Sequence, residues 1–311
     1  MTFVLWAGVL VGAAVLAGVS VAVSIRVADR IGSHDHPDGD RKVQNRPIPK
    51  LGGVAIALSF AAAATVALLA AGRADALGLA WAVVVPALVA AVVGYADDAR
   101  SMQPVSRLIL QGGVGALAWI LGTRVEVSGL WIVDLALTVV WFMVVINGIN
   151  LLDNSDGLAA ATVLVSALGS SVIAIMFGQE LVSLLGLALV GVCIGYLWHN
   201  WYPARVYMGD SGAYFLGTML ASLIIGLRPA SVAPGVGVVL ALLLAALPIL
   251  DTTYVVVRRV RAGIHPFTAG RDHLAHVLQA RGRTMAGSVV TLQAGLFVTT
   301  ALAIGLAASQ L

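Results

Sequence analysis

The chain has 311 residues, of which 60% are hydrophobic and 11% are charged, and its mean hydropathy is +0.98. Soluble globular domains carry about 25% charged residues, so this composition excludes an ordinary soluble protein. The formal net charge is +3. This excess of basic residues does not indicate a nucleic-acid partner, because in a membrane protein basic residues collect in loops.

Apolar segments close to the length of a bilayer-spanning helix recur along the whole chain. They predict an all-α protein, a polytopic integral membrane helix bundle of about ten transmembrane helices, with residues 1–311 forming a single domain. The first segment has no basic stretch before it and no clear cleavage site, so we expect it to be retained rather than removed as a signal peptide. The predicted spans are residues 3–25, 51–71, 77–96, 107–122, 132–148, 158–177, 181–198, 213–228, 236–257 and 286–308.

Basic residues are distributed unevenly between the two sets of loops. Of the 18 Lys and Arg residues, all but Arg73, Arg124 and Arg228 fall beside the loops that follow odd-numbered spans. Because basic loops face the cytoplasm, we expect a multi-pass protein of the plasma membrane with both termini outside. The single Cys193 lies within an apolar segment, which excludes an internal disulfide and indicates a packing role.

Four polar segments follow odd-numbered spans and are therefore expected on the cytoplasmic side. They are GYADDARS, NLLDNSDGL, YMGDSG and HPFTAGRDHLAHVL. The first three carry Asp97, Asp98, Asp153, Asp156 and Asp210. Carboxylates at a membrane edge are unfavourable unless they are paired, hydrated or bound to metal. Mg²⁺ binds one or two carboxylates together with substrate phosphates, so these segments indicate phosphate chemistry.

Each group also has a purely structural interpretation. Asp153 and Asp156 are three residues apart, and on a continuing helical turn they would share one face. The alternative is that they, or Asn154, cap the next helix. Asp97 and Asp98 would otherwise belong to a solvated turn, and Asp210 would otherwise lie at a structural helix start.

Two basic regions are candidates for binding phosphate. In QNRPIPKLGG, Arg46 and Lys50 precede the second span, although the prolines there are equally consistent with a simple helix entry. In the last polar segment, a short amphipathic piece would present Arg271, His273 and His276 to a diphosphate while its apolar side rests on the membrane. The basic residues at 258, 259 and 261 fit a role as membrane anchors.

Taken in order, these motifs resemble those of the polyprenyl-phosphate N-acetylhexosamine-1-phosphate transferases, the glycosyltransferase 4 family. GYADDARS is similar to the family's Asp-Asp motif and NGINLLDNSDGLA to its Asn-x-x-Asn-x-x-Asp-x-x-Asp-Gly motif. VYMGDSG resembles its Met-Gly-Asp loop, and HPFTAGRDHLAHVL its last, His-bearing loop. Asn154-Ser155 and Ala275 depart from the family pattern, which affects the choice of sugar rather than the reaction class.

The resemblance implies that a polyprenyl phosphate attacks the sugar-linked phosphate of a UDP-N-acetylhexosamine, most plausibly UDP-N-acetylglucosamine, and releases UMP. It implies a cytoplasmic active site with Mg²⁺, or alternatively Mn²⁺, held by Asp210 with Asp98 or Asp156. Asp97 would receive the lipid phosphate or act as a base, and Arg271, His273 and His276 would hold the diphosphate. The nucleotide or sugar would contact Asn147, Asn150, Asp153 and Asp156.

Two other functions remain alternatives at this stage. The related phospho-N-acetylmuramoyl-pentapeptide transferase shares the chemistry, but its substrate would require a richer His loop. A cation-coupled transporter would place carboxylates near the midplane of its spans, which only Asp251 approaches. For Asp251 we expect a partner on a facing helix. The sequence leaves open whether the protein forms a homodimer.

Overall fold

A computed structural model describes residues 3–37, 46–228, 232–268 and 270–311. Twelve α-helices make up most of this part of the chain. Between the first two of them lie two very short strands, β1 (His34–Asp35) and β2 (Ile48–Pro49), which pair antiparallel. The helices are α1 (Phe3–Ile31), α2 (Gly52–Ala70), α3 (Leu77–Arg100), α4 (Pro104–Ile120), α5 (Trp131–Leu152), α6 (Leu158–Met176), α7 (Glu180–Asn200), α8 (Gly209–Gly226), α9 (Pro234–Leu244), α10 (Ala246–Arg261), α11 (Leu274–Ala280) and α12 (Met285–Ala308).

The predicted class, an all-α polytopic membrane protein, is confirmed. Within the described ranges, seven helices are long and apolar enough to cross a membrane, or eight if α9 and α10 count as one broken span. Each predicted span has a helix at its position, but α4 and α8 are not among these seven. The predicted number of ten spans is therefore approximate.

The ninth predicted span, residues 236–257, is not one continuous helix. It divides at Ala245 into α9 and α10, which are bent by 71° relative to each other. Pro248 has no backbone N–H to donate to the carbonyl of Leu244, four residues earlier, and its ring crowds that turn. Ser166 on α6 donates its hydroxyl to the Leu244 carbonyl instead, at 2.7 Å. The neighbouring helix thus satisfies the backbone group that the proline leaves unpaired.

Small residues allow α1 and α7 to pack closely. Gly191 and Gly195 are four residues apart on α7, and a methyl group added at either would overlap backbone or side-chain atoms of α1. The residues of α1 that it would meet include Ala13 and Ala17, both fully buried. Since apolar side chains gain little from leaving lipid, close backbone contact between small residues is what holds membrane helices together.

The same kind of contact fixes the first turn of α8. A methyl group on Gly94 of α3 would overlap the backbone of Asp210 and Ser211, and one on Gly53 of α2 would overlap the backbone of Gly212. In addition, the Gly53 amide donates to the Met208 carbonyl at 3.1 Å. The position of Asp210 is therefore set by two neighbouring helix backbones.

We expect Gly94→Ala to destabilise the protein by about 1–3 kcal/mol, because α3 and α8 would have to separate. Gly78→Ala is the matched control on the same helix, since nothing lies within 4 Å of a methyl group there. The measurement is the thermal unfolding midpoint of each purified variant in detergent. Equal midpoints for the two variants would show that the α3–α8 contact is not as tight as described.

Candidate functional site

A cavity of about 330 Å³ opens where the polar segments meet at one end of the bundle. It lies at the C-terminal ends of α3, α5 and α7 and at the N-terminal ends of α2, α6, α8 and α12, as expected for helices that alternate in direction. The predicted convergence of these segments is therefore confirmed. The lining residues are Asp35, Lys50, Asp98, Asp153, Asn154, Ser155, Asp156, Asn200, Tyr207, Gly209, Asp210, His276 and Met285.

Lys50 and Asp98 form an ion pair in this cavity, with 2.6 Å between Nζ and Oδ1. The Lys50 side chain is 29% exposed and that of Asp98 is 13% exposed. The pKa of Lys50 is raised: burial opposes the charge, but the hydrogen bond and the charge of Asp98 outweigh it. Gly209 has a φ of +64° and leaves no room for a side chain beside Asp98. A charged ammonium group is thus held at the cavity wall.

Asp153 and Asp156 reach the cavity from a turn, not from one continuing helix. Helix α5 ends at Leu152, and the N-cap position of α6 is Gly157, with a φ of +77° and no side-chain cap. The capping alternative for Asp153, Asn154 and Asp156 is therefore wrong. Asp156 Oδ2 instead accepts the amide of Ala204 at 2.9 Å.

Burial and mutual repulsion act on the carboxylates of this turn. Burial raises the pKa of Asp153 well above its usual range, and the charges of Asp210, Asp98 and Asp156 add to the effect. Burial also raises the pKa of Asp156. The hydrogen bond from the Ala204 amide stabilises the charged form and opposes this increase without cancelling it. These carboxylates would gain from a bound cation or a basic partner, because either stabilises their ionised form.

Asp97, adjacent in sequence to Asp98, is not among the residues that line the cavity. Its side chain is fully buried, forms an ion pair with Arg107, with 2.8 Å between Oδ2 and Nε, and accepts hydrogen bonds from Tyr214 Oη at 2.9 Å and from the Met102 amide at 2.9 Å. The solvated-turn alternative for Asp97 is thus wrong. In this arrangement the carboxylate ties α3 to α4 and α8.

Three other predicted contact residues also lie outside the cavity lining. Asn147 donates its side-chain amide to Gln111 Oε1 on α4 and to the Met143 carbonyl. Asn150 is half-buried on the last turn of α5, and Arg46 is exposed. None of the three lines the cavity. For Asn147 the contacts shown are structural, joining α5 to α4.

The last polar segment contributes one of its three predicted residues to the cavity. His276 lines it, whereas Arg271 is exposed and His273 is buried at the N-cap position of α11. The rings of His273 and His276 lie 5.9 Å apart in an edge-to-face arrangement. Burial lowers the pKa of His276, and the charges of His273 and Arg271 add to this. Ala269, within this segment, lies outside the described residues.

Helix α10 holds the same segment through two buried charged residues. Arg259 donates from Nε and Nη2 to both oxygens of Asp272, at 2.8 and 2.7 Å. Asp251 accepts from His273 Nδ1 at 2.7 Å and from the Leu274 amide at 2.8 Å. The expected partner of Asp251 on another helix is found at the start of α11, in the N-cap residue His273 and in Leu274. The interpretation of Arg259 as a membrane anchor is wrong, because its side chain is buried against Asp272.

Several lining residues were not predicted from the sequence. Asn200 joins two loops, since its Oδ1 accepts the Gly157 amide at 3.0 Å and its Nδ2 donates to the Val206 carbonyl at 2.8 Å. Asp35 comes from β1, and Tyr207 precedes α8. A polar residue at the end of an apolar segment, as Asn200 is, was a signal that could have been followed.

The donor groups of the cavity can be compared with those that Mg²⁺ prefers. The cavity supplies several carboxylate oxygens, and burial, followed by the charges of the neighbouring carboxylates, raises the pKa of Asp153. Carboxylate oxygens are the donors that a hard cation prefers. Among the described residues, however, no group of three or more His, Cys, Asp or Glu side chains is placed to hold a metal ion. The residues therefore fit a cation held by one or two carboxylates and completed by phosphate oxygens, and the prediction of Asp210 with Asp98 or Asp156 stays a prediction.

Known proteins are similar to this chain over the region that includes the first three polar segments. The model of glycosyl transferase family 4 matches residues 80–228. A Bacillus subtilis protein named probable undecaprenyl-phosphate N-acetylglucosaminyl 1-phosphate transferase is 30% identical over 86% of this chain and 75% of its own length. A decaprenyl-phosphate N-acetylglucosaminephosphotransferase of Mycolicibacterium smegmatis is 31% identical over 86% of this chain and 73% of its own length.

A phospho-N-acetylmuramoyl-pentapeptide-transferase of Desulforudis audaxviator is 40% identical, but only over 38% of this chain and 32% of its own length. The similarity to this second kind of enzyme is thus partial, whereas the similarity to the N-acetylglucosamine enzymes extends over most of both chains. With the family model covering the segments that carry Asp98, Asp153, Asp156 and Asp210, the chain belongs to glycosyl transferase family 4.

Proposed function

We propose that this protein transfers N-acetylglucosamine 1-phosphate from UDP-N-acetylglucosamine to a polyprenyl phosphate, giving a polyprenyl-diphospho-sugar and UMP. The observation that carries the proposal is the cavity at one end of the bundle, where five aspartates and Lys50 converge. Such a site combines metal-binding oxygens with a fixed cation, and this is the equipment that phosphoryl transfer requires. The step would begin surface-glycan or cell-wall synthesis.

The reaction exchanges one diphosphate linkage for another. An oxygen of the lipid phosphate forms a bond to the sugar-linked phosphorus, and the bond from that phosphorus to the oxygen of UMP breaks. Asp210 and Asp98 would hold Mg²⁺, and the ion would supply charge neutralisation at the leaving UMP. Lys50, 2.6 Å from Asp98, would contact a phosphate oxygen at the same wall.

The remaining lining residues orient the donor. Asp153 and Asp156, with Asn154 and Ser155 between them, would contact the sugar or the nucleotide through their oxygens. His276 would contribute a neutral imidazole, since its pKa is lowered. Asp97 would support Asp98 from behind rather than act as a base, because its carboxylate is enclosed and a phosphate oxygen is already ionised near neutral pH.

A transporter is the alternative of a different class, and the position of the carboxylates argues against it. The cavity aspartates lie at one end of the bundle, at helix termini and in loops, and not near the middle of the spans. Asp251, the residue that seemed closest to a midplane position, is engaged with His273 and Leu274 of the last loop. Coupled transport would instead place ionisable residues along a path across the membrane.

Isotope exchange tests the reaction itself. With polyprenyl phosphate and Mg²⁺ present, labelled UMP is expected to enter UDP-N-acetylglucosamine, because little bond energy separates the two diphosphates and the reaction should run backwards. Exchange must vanish when the lipid is omitted, and a UDP-N-acetylmuramoyl-pentapeptide donor should give none. Exchange that persists without lipid would contradict the proposal. The absence of exchange with every UDP-N-acetylhexosamine tested would contradict it as well. A transporter cannot relocate the label.

Metal dependence has its own test. We expect EDTA to abolish exchange, Mg²⁺ or Mn²⁺ to restore it, and Asp210→Asn to lower turnover by about 10²-fold or more, because the amide removes the charge that a hard cation requires. Asp75→Asn is the control, since Asp75 is exposed in a single 3₁₀ turn before α3, where it pairs with Arg73. Both variants should give similar amounts of folded protein. Undiminished turnover in EDTA would exclude the metal.

The proposed cytoplasmic position of the site can be tested by labelling. In a Cys193→Ala background, Arg281→Cys beside the cavity loop should resist an impermeant thiol reagent added to intact cells, whereas Ala74→Cys should react. Both positions are exposed in the structure. The reason for the expectation is the excess of basic residues on the side of Arg281. Labelling of Arg281→Cys but not of Ala74→Cys would show that the protein has the opposite orientation in the membrane.

A further inference from the structure

Asp251 is a buried carboxylate whose two oxygens contact two consecutive residues of the last polar segment. Its Oδ2 accepts from His273 Nδ1 at 2.7 Å, and its Oδ1 accepts from the Leu274 amide at 2.8 Å. Its side chain is 1% exposed, and that of His273 is 6% exposed. A buried carboxylate in contact with an imidazole fixes where the ring proton lies, because only a protonated nitrogen can donate to it.

The contact is part of a longer row along α10. Asp251, Val255 and Arg259 are each four residues apart and all are buried, so they lie on one face of the helix. The two charged residues on this face form hydrogen bonds with consecutive residues of the loop: Arg259 with Asp272, and Asp251 with His273. Arg259 Nη1 also donates to the Pro266 carbonyl at 2.6 Å.

The row acts on the cavity through a second imidazole. His273 packs edge to face against His276, with the ring centroids 5.9 Å apart, and His276 lines the cavity. Buried His276 Nδ1 has no hydrogen-bond partner among the described residues. Nothing in its own short helix therefore fixes that ring by hydrogen bonding at Nδ1, and the packing against His273 takes on this role.

We infer that Asp251 is a positioning residue for the imidazole rings of His273 and His276. It holds the ring proton of His273 on Nδ1, leaves Nε2 unprotonated on the side away from α10, and fixes the orientation of the His273 ring. That ring in turn orients His276 towards the substrate. The inference rests on the proposed function for its effect on turnover. Its structural part, the position of one proton, stands independently.

Asp251→Asn separates this role from simple packing. The amide has nearly the same shape, and its Oδ1 can still accept the Leu274 amide. Its NH₂ group can only donate, so His273 Nδ1 must then accept, and the ring proton must move to Nε2. Asp134→Asn is the matched control, because buried Asp134 accepts the Val127 and Ser128 amides through a single oxygen, which Asn retains.

The first measurement is the ¹⁵N spectrum of histidine-labelled protein, with His273 assigned from the spectrum of His273→Ala. We expect a protonated Nδ1 in the wild-type protein and a protonated Nε2 in Asp251→Asn. An unprotonated Nδ1 in the wild-type protein would overturn the inference without any assay of activity, even if the variant failed to fold. If the protein had no transferase activity, the proposed function would fail, and this spectrum would still decide the contact.

The second measurement is exchange kinetics. Asp251→Asn should lower kcat by about 10²-fold, the loss that a displacement of about 1 Å can cause when it originates away from the reacting atoms, with KM for UDP-N-acetylglucosamine within about threefold. Asp134→Asn should leave both constants unchanged. His273→Ala should lose as much as Asp251→Asn, and the double variant no more, because the two residues act as one unit. A kcat within about threefold of the wild-type value, or a loss matched by a fall in folded protein, would overturn the inference.

Discussion

The structure depends on a single electrostatic constraint, which is the crowding of carboxylates at the edge of an apolar bundle. Asp35, Asp98, Asp153, Asp156 and Asp210 share one cavity, and burial there raises the pKa of Asp153 and Asp156. A fold that only needed stability would not place these groups together, because each must be desolvated and each repels the others. The proposed cation would offset this repulsion and the proposed phosphate groups would complete its coordination, so the crowding is explained by a binding role rather than by the stability of the chain.

The backbone holds this unfavourable arrangement in place. Gly53 and Gly94 allow α2 and α3 to touch the first turn of α8, which fixes Asp210, and Asn200 ties the turn before α6 to the loop before α8. These contacts are close and largely between backbones, so they cannot adjust to a larger side chain without moving a functional residue. The rigidity of the site is thus supplied by helix packing that lies just inside the membrane edge.

Much of the fold and part of the site could be predicted from the sequence. The apolar segments gave the class of fold, and the order of the polar segments gave their convergence at one end. Asp153 and Asp156 were predicted to share one face of a continuing helix; they do line the same cavity, but from a turn between α5 and α6, and their role in binding stays a prediction. What failed was the direction of individual side chains. Asp97 and Asp98 are neighbours on α3, where successive side chains point about 100° apart, so one is buried against Tyr214 while the other faces the cavity.

Long-range partners were beyond reach for a related reason. Asp251 and His273 are 22 residues apart, and they meet only because the chain bends at Ala245. The bend could have been expected from Pro248, but not the contact with Ser166 of α6, which donates to the carbonyl that the proline leaves unpaired. This bend turns α10 so that its buried face meets the last loop instead of continuing the line of α9. The break therefore has a consequence for the site, because the buried residues Asp251 and Arg259 of α10 hold the loop that carries His276.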